Sequence, residues 1–83
     1  MIRTFACKSR KLPTNIQQKA LLKLSSINAA CVIQDLRLPL SNHLELLEPK
    51  HFKEWSIKIN DQFRIVFKFD AGNAYDVRIG DYH

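Results

Sequence analysis

The stretch WSIKINDQFRIVFKFDAGNAYDVRI, residues 55–79, decides the fold of this 83-residue chain. Large apolar residues occupy every second position in three segments of it, at residues 55–59, 63–69 and 75–79. A period of two is typical of strands with one buried face, and turn residues separate the segments. The stretch therefore predicts an antiparallel meander of three strands, whose apolar face is covered by the rest of the chain.

The residues before the meander predict a short strand and two helices. Residues 2–6 have the β-branched and aromatic character of a strand. The sequence Thr14-Asn15-Ile16-Gln17 fits a capping box, and apolar residues at helical spacing continue this helix through Ile27. A second short helix is predicted from Ala30 to Arg37, because the residue before Pro39 disfavours helical backbone. The chain is thus predicted to be one α+β domain.

The basic residues are unevenly distributed. The formal net charge is +5, and residues 1–34 contain six bases and no acid, whereas the remainder contains seven bases and eight acids. The alternation of the meander also predicts an open sheet face with four bases and one acid, which are Lys58, Arg64, Lys68, Arg78 and Asp76. Such surfaces attract phosphate backbones or an acidic partner protein, although many soluble sheets also carry charges on their open face.

The composition excludes several kinds of site. Two cysteines are too few for a disulfide framework and favour reduced thiols, and two glycines are too few for a glycine-rich phosphate loop. The three histidines do not have metal-ligand spacing. No apolar run is long enough for a membrane span or a secretory signal. We therefore expect a cytoplasmic protein without metal or cofactor.

The residues that remain suit RNA cleavage without a metal ion. The ribose 2′-hydroxyl can attack the adjacent phosphorus, so the protein must move protons and stabilise charge on the phosphoryl oxygens. Histidine suits proton transfer, and the arginine fork suits the phosphate. The candidates for these tasks are Arg64, Asp81, Tyr82, His83 and His43, and the candidate RNA contacts are Lys50, His51, Lys53, Lys58 and Lys68. Structural alternatives remain open, such as an ion pair between Arg64 and Asp76.

Several motifs, in order along nearly the whole chain, resemble the HigB branch of the RelE-like toxins. Residues 55–65, WSIKINDQFRI, resemble the family stretch W-S-I-R-I-N-x-x-W-R-I. Residues 72–77, GNAYDV, and the final Asp81-Tyr82-His83 resemble the family's ending. The opening MIRTF, and residues 35–37 with residues 42–45, match the family as well. The set is far more specific than any one motif.

The resemblance implies both a fold and an activity. The fold would be a single compact RelE-like domain over residues 1–83, with an N-terminal strand and two helices packed on a curved antiparallel sheet. The activity would be ribosome-dependent cleavage of mRNA in the A site, which stops translation and growth. His83 would transfer a proton, Arg64 would contact the phosphate, and Asp81 and Tyr82 would position His83 and the RNA. The partner would be a helix-turn-helix antitoxin.

The sequence departs from the family pattern just before the meander. Family members commonly carry L-K-G-D-R-x-G-x there, whereas residues 47–54 of this chain are LEPKHFKE, so that Glu48 takes the place of the usual lysine. An active-site histidine of some members falls on Glu45. Basic function would then pass to Lys50, His51 or Lys53. The alternatives are a weakened or inactive toxin fold that still binds its antitoxin, and an unrelated basic nucleic-acid-binding protein.

Overall fold

The computed structural model describes residues 1–5, 14–48 and 54–81. Five predicted site residues lie outside these ranges: Lys50, His51, Lys53, Tyr82 and His83. The side chain of Asp81 lies outside the description as well, although its backbone is described.

An antiparallel sheet of four strands forms the centre of the described structure. The strands are β1 (Glu45–Glu48), β2 (Glu54–Lys58), β3 (Phe63–Asp70) and β4 (Asn73–Asp81), and they lie side by side in this order. The predicted meander is confirmed as β2, β3 and β4. Strand β1 was not predicted, because only four residues form it and their pattern, ELLE, does not alternate.

The turn between β3 and β4 shows why the meander is tight. Ala71 and Gly72 both have positive φ, at 51° and 79°, which is the backbone of a two-residue hairpin turn that matches the twist of the strands. A Cβ atom on Gly72 would lie 3.3 Å from the carbonyl oxygen of Cys31, so glycine also allows a close approach here.

The helical prediction is right for the first helix and wrong in form for the second. Helix α1 runs from Thr14 to Ala29. The predicted helix at residues 30–37 is instead a 3₁₀ helix at Ile33–Arg37, and a further 3₁₀ turn follows at Leu40–Asn42. The Asp35 carboxylate accepts hydrogen bonds from the backbone amides of Cys31 (2.8 Å) and Val32 (3.3 Å), which caps the start of this short helix. Extended backbone at Val32 and Leu38 limits the helix to five residues. No helix in the described residues has the length and apolar character needed to cross a bilayer.

The predicted N-terminal strand is reduced to two isolated bridges. Ile2 and Phe5 pair in parallel with Ala74 and Val77 of β4. The backbone amide of Arg3 donates to the carbonyl of Ala74 at 2.7 Å, and no continuous strand forms among residues 1–5. The five residues cover the edge of β4.

The core lies between α1 and one face of the sheet. Ile57, Ile65, Phe67 and Val77 have no exposed surface, and they belong to one cluster with the buried residues of the helix, Ile16, Ala20 and Ile27. Burial of side chains of this size contributes about 1.5–3 kcal/mol each, so the sheet and the helix hold each other in place. The opposite sheet face carries Arg64 and Lys68 together with the buried Ser56 and Val66.

Candidate functional site

The guanidinium of Arg64 is fixed by three acceptors on the open face of the sheet. Its Nε donates to Ser56 Oγ at 2.9 Å, and its Nη2 donates to the carbonyl oxygen of His43 at 2.7 Å. Nη2 also lies 3.2 Å from Glu45 Oε1 in an ion pair. Only 15% of the Arg64 side chain is exposed. The three acceptors therefore hold the guanidinium in one orientation and leave Nη1 as the nitrogen without a hydrogen bond to a described residue.

Strand register brings these partners together. Arg64 lies opposite Lys58 of β2, so Ser56, two residues before Lys58, lies on the same face as Arg64. Glu45 of β1 lies opposite Ser56 on its other side. The acidic residue and the serine are therefore placed by the sheet itself.

His43 enters the site through its backbone. It follows the 3₁₀ turn with left-handed geometry, φ 45° and ψ 55°, and its amide donates to the carbonyl of Leu40 at 3.0 Å. The preceding Asn42 is fully buried, and its Nδ2 donates to the carbonyl of Leu36 at 3.1 Å. This anchored turn directs the His43 carbonyl at Arg64, while the His43 residue itself is exposed.

The predicted residues Asp81, Tyr82 and His83 follow a strand position beside Arg64. In the β3–β4 register, Gly80 lies opposite Arg64, and Asp81 lies opposite Phe63. The backbone of Asp81 is thus on the strand next to Arg64, one position further along. Tyr82, His83 and the Asp81 side chain lie outside the described structure, so their roles stay predictions.

The predicted charge balance of the open sheet face is wrong. Lys58 pairs with Asp61 at 3.1 Å, Lys68 with Asp76 at 2.9 Å, and Arg78 with Glu54 at 2.7 Å. The prediction counted Asp76 alone, because strand β1 was not foreseen and β2 was begun after Glu54. The proposed pair of Arg64 with Asp76 is also wrong, since Asp76 binds Lys68 and Arg64 binds Glu45.

The ion pair of Asp76 changes the titration of its carboxyl group. A hydrogen bond from Lys68 and the charge of Lys68 lower the pKa of Asp76, and Arg78 adds a smaller effect in the same direction.

Within residues 1–5, 14–48 and 54–81, no group of three histidine, cysteine, aspartate or glutamate side chains is placed to hold a metal ion.

Sequence reasoning found Arg64 and missed its three acceptors. Ser56 carried one signal, because it is a polar residue on the strand face that also carries Arg64. Glu45 was noted only as the place of a histidine in some relatives. The contribution of His43 is a carbonyl group, which no residue type can reveal.

Fold and site define a small α+β protein in which a strand arginine is fixed on the open face of a helix-backed antiparallel sheet. The model of the family "RelE-like toxin of type II toxin-antitoxin system HigB" matches residues 4–83. The chain belongs to this family, which excludes the unrelated nucleic-acid-binding protein considered above.

Two relatives each match more than two thirds of this chain. Toxin HigB-1 of Vibrio cholerae serotype O1 is 38% identical over 66 residues, which are 78% of this chain and 68% of that protein. An uncharacterized protein of Haemophilus influenzae is 47% identical over 60 residues, which are 72% of this chain and 59% of that protein. The match therefore spans less than two thirds of the Haemophilus protein.

Proposed function

We propose that this toxin is a ribosome-dependent, metal-independent endoribonuclease that cleaves mRNA in the A site and thereby inhibits translation and growth. The observation that carries the proposal is the Arg64 guanidinium, held by Ser56, His43 and Glu45 on an open sheet face. Nη1 of Arg64 makes no hydrogen bond with any described residue, so this end of the fork can donate to a phosphoryl oxygen. The family membership of the chain supports the same activity.

The reaction needs two proton transfers around one phosphodiester. The 2′-oxygen forms a bond to phosphorus as its proton leaves, and the bond from phosphorus to the 5′-oxygen breaks as that oxygen gains a proton. The products are a 2′,3′-cyclic phosphate and a 5′-hydroxyl. Arg64 stabilises the negative charge that develops on the phosphoryl oxygens.

Glu45 and His83 are the proposed proton carriers. The Glu45 carboxylate is 60% exposed and lies 3.2 Å from Arg64, so it can accept the 2′-hydroxyl proton at a phosphate bound there. His83 protonates the leaving oxygen, and Asp81 and Tyr82 position it. This role is supported by the order of the chain, because Asp81 ends the strand beside Arg64 and one residue separates it from His83 in the sequence.

The partners follow from the same proposal. The toxin acts on mRNA held by the ribosome in the cytoplasm, and a helix-turn-helix antitoxin binds and inhibits it. Lys50, His51, Lys53, Lys58 and Lys68 are proposed RNA contacts. A phosphate that binds Lys58 must compete with Asp61, and one that binds Lys68 must compete with Asp76. Exposed ion pairs of this kind contribute only about 0–1 kcal/mol to the stability of the fold.

The test is cleavage of a defined mRNA in a translation extract, with transcript ends mapped by primer extension. We expect Arg64→Lys to lower the cleavage rate by about 100-fold or more, because lysine keeps the charge but loses the fork. His83→Gln should do the same. Arg78→Lys is the matched control, since Arg78 is also a strand arginine on this face paired with a glutamate. Cleavage by Arg64→Lys or His83→Gln at the rate of the control contradicts the assigned roles.

The second candidate is a toxin fold that binds an antitoxin without cleaving RNA. The ion pair of Glu45 with Arg64 favours it, because a carboxylate already occupies part of the proposed phosphate contact. Expression without any antitoxin separates the two functions. Harmless accumulation of folded protein with uncut transcripts supports the binding module, whereas growth arrest that requires His83 supports the nuclease.

A further inference from the structure

A basic groove lies beside the Arg64 site, and the lysines that helix α1 contributes to it have no role in the proposed chemistry. Its volume is about 440 Å³, and it lies between helix α1, the turn before His43 and the end of β2. The residues that give it its character are Lys19, Leu22, Lys23, His43, Lys58 and Ile59. Here two lysines of the basic segment at residues 1–34 face one concave surface.

The charge of Lys19 and Lys23 is not balanced by any described acid. The two residues are one helical turn apart, and helix α1 contains no acidic residue. Neither forms an ion pair with a described aspartate or glutamate. Like charges at this spacing repel each other and destabilise a helix. A bound anion would remove this repulsion.

Lys23 is held at the wall of the groove. Its Nζ donates a hydrogen bond to Oδ1 of the buried Asn42. Burial, followed by the charge of Lys19, lowers the pKa of Lys23. Both effects disfavour the charged ammonium, whereas a phosphate bound in the groove would favour it.

The groove and the Arg64 site share two residues. Lys58 lies directly opposite Arg64 in the β2–β3 register and also lines the groove. The carbonyl oxygen of His43 accepts a hydrogen bond from Arg64, and His43 lines the groove as well. An RNA strand with one phosphate bound at Arg64 can therefore continue past Lys58 into the groove.

We propose that this groove binds the phosphodiester backbone of the RNA next to the cleaved linkage, with Lys19 and Lys23 as phosphate contacts. The inference rests on the proposed function, since it extends the same RNA beyond Arg64. No phenylalanine, tyrosine or tryptophan of the described residues lines the groove, so His43 offers the one aromatic ring there, and stacking on a ring is tolerant of base identity. Binding in the groove is therefore independent of base sequence. The shared residues favour RNA over an acidic polypeptide.

The experiment measures binding of a fluorescein-labelled twelve-nucleotide oligouridylate with 2′-O-methyl riboses by anisotropy, over a range of salt concentrations. Each lost phosphate contact on single-stranded RNA reduces the slope of log K against log salt by about 0.7, so Lys19→Gln/Lys23→Gln should reduce it by about 1.4. Lys19→Gln alone, at an exposed position, should reduce it by about 0.7 without disturbing Asn42. Arg3→Gln removes an exposed charge beside β4 and should leave the slope unchanged.

The same assay with Arg64→Gln, which removes the charge, separates this inference from the proposed function. A reduced slope for the lysine variants with an unchanged slope for Arg64→Gln supports the groove and contradicts the phosphate contact of Arg64. An unchanged slope for both lysine variants overturns the groove proposal, and so does an absence of RNA binding by the native protein. If the slope is unchanged and the double variant instead loses binding of a labelled peptide of glutamate and leucine, the groove belongs to a protein partner.

Discussion

Ser56→Ala removes the buried acceptor that orients Arg64. Ser56 has no exposed surface, and its Oγ accepts the Arg64 Nε hydrogen bond at 2.9 Å. Without this oxygen, Nε keeps its proton in a largely buried place and has no acceptor. Hydrogen bonds to charged groups contribute about 1.5–3 kcal/mol, so we expect the free energy of unfolding to fall by that amount. Urea titration followed by circular dichroism measures it.

The same change should slow cleavage. Nη2 keeps its contacts with His43 and Glu45, but the guanidinium can turn about them, and a misplaced catalytic group costs about 100-fold in rate. Ser25→Ala, at an exposed helix position, is the control, with an expected change within about 0.5 kcal/mol. A Ser56→Ala protein with native stability and native cleavage would refute the reasoning that Ser56 fixes the arginine.

Three further changes test separate parts of the account. Glu45→Gln should slow cleavage by about 100-fold or more, because an amide cannot accept the 2′-hydroxyl proton, and cleavage at the native rate would contradict this role. The pKa of Asp76 is lowered by Lys68, so its contribution to stability is present at neutral pH and is lost as the pH falls through the lowered value. Asp76→Asn should therefore make unfolding less dependent on pH below about pH 4, as measured by urea midpoints. Gly72→Ala should destabilise the fold by about 1–2 kcal/mol, because φ is 79° and the new Cβ would press on the Cys31 carbonyl; a native urea midpoint would contradict this.

The sequence predicted the elements whose signal is local and periodic. Strands β2 to β4 alternate over five or more residues, and α1 repeats its apolar residues at helical spacing. Strand β1 has four residues and an irregular register between Leu46 and Glu48, so its formation depends on pairing with β2 and not on its own pattern. The 3₁₀ helix depends similarly on a side-chain contact of Asp35.

The site was predictable in its residue types and not in its pairing. Arg64 stood out because a strand arginine suits a phosphate, but its acceptors depend on register with β1 and β2. One missed strand changed the charge balance of the whole face, since Glu45 then lies beside Arg64. The contributions of Tyr82 and His83 stay predictions.

The most direct measurement of the central claim uses an mRNA with one altered sugar. The cleavage position is first mapped on ribosomes, and a synthetic mRNA is then made with 2′-deoxyribose at the nucleotide whose 2′-hydroxyl is proposed to attack. The account predicts cutting of the all-ribose mRNA, in the presence of a chelator of free metal that leaves the ribosomes intact, and none at the altered nucleotide. Equal cutting of both mRNAs would contradict attack by the 2′-hydroxyl at the phosphate bound to Arg64.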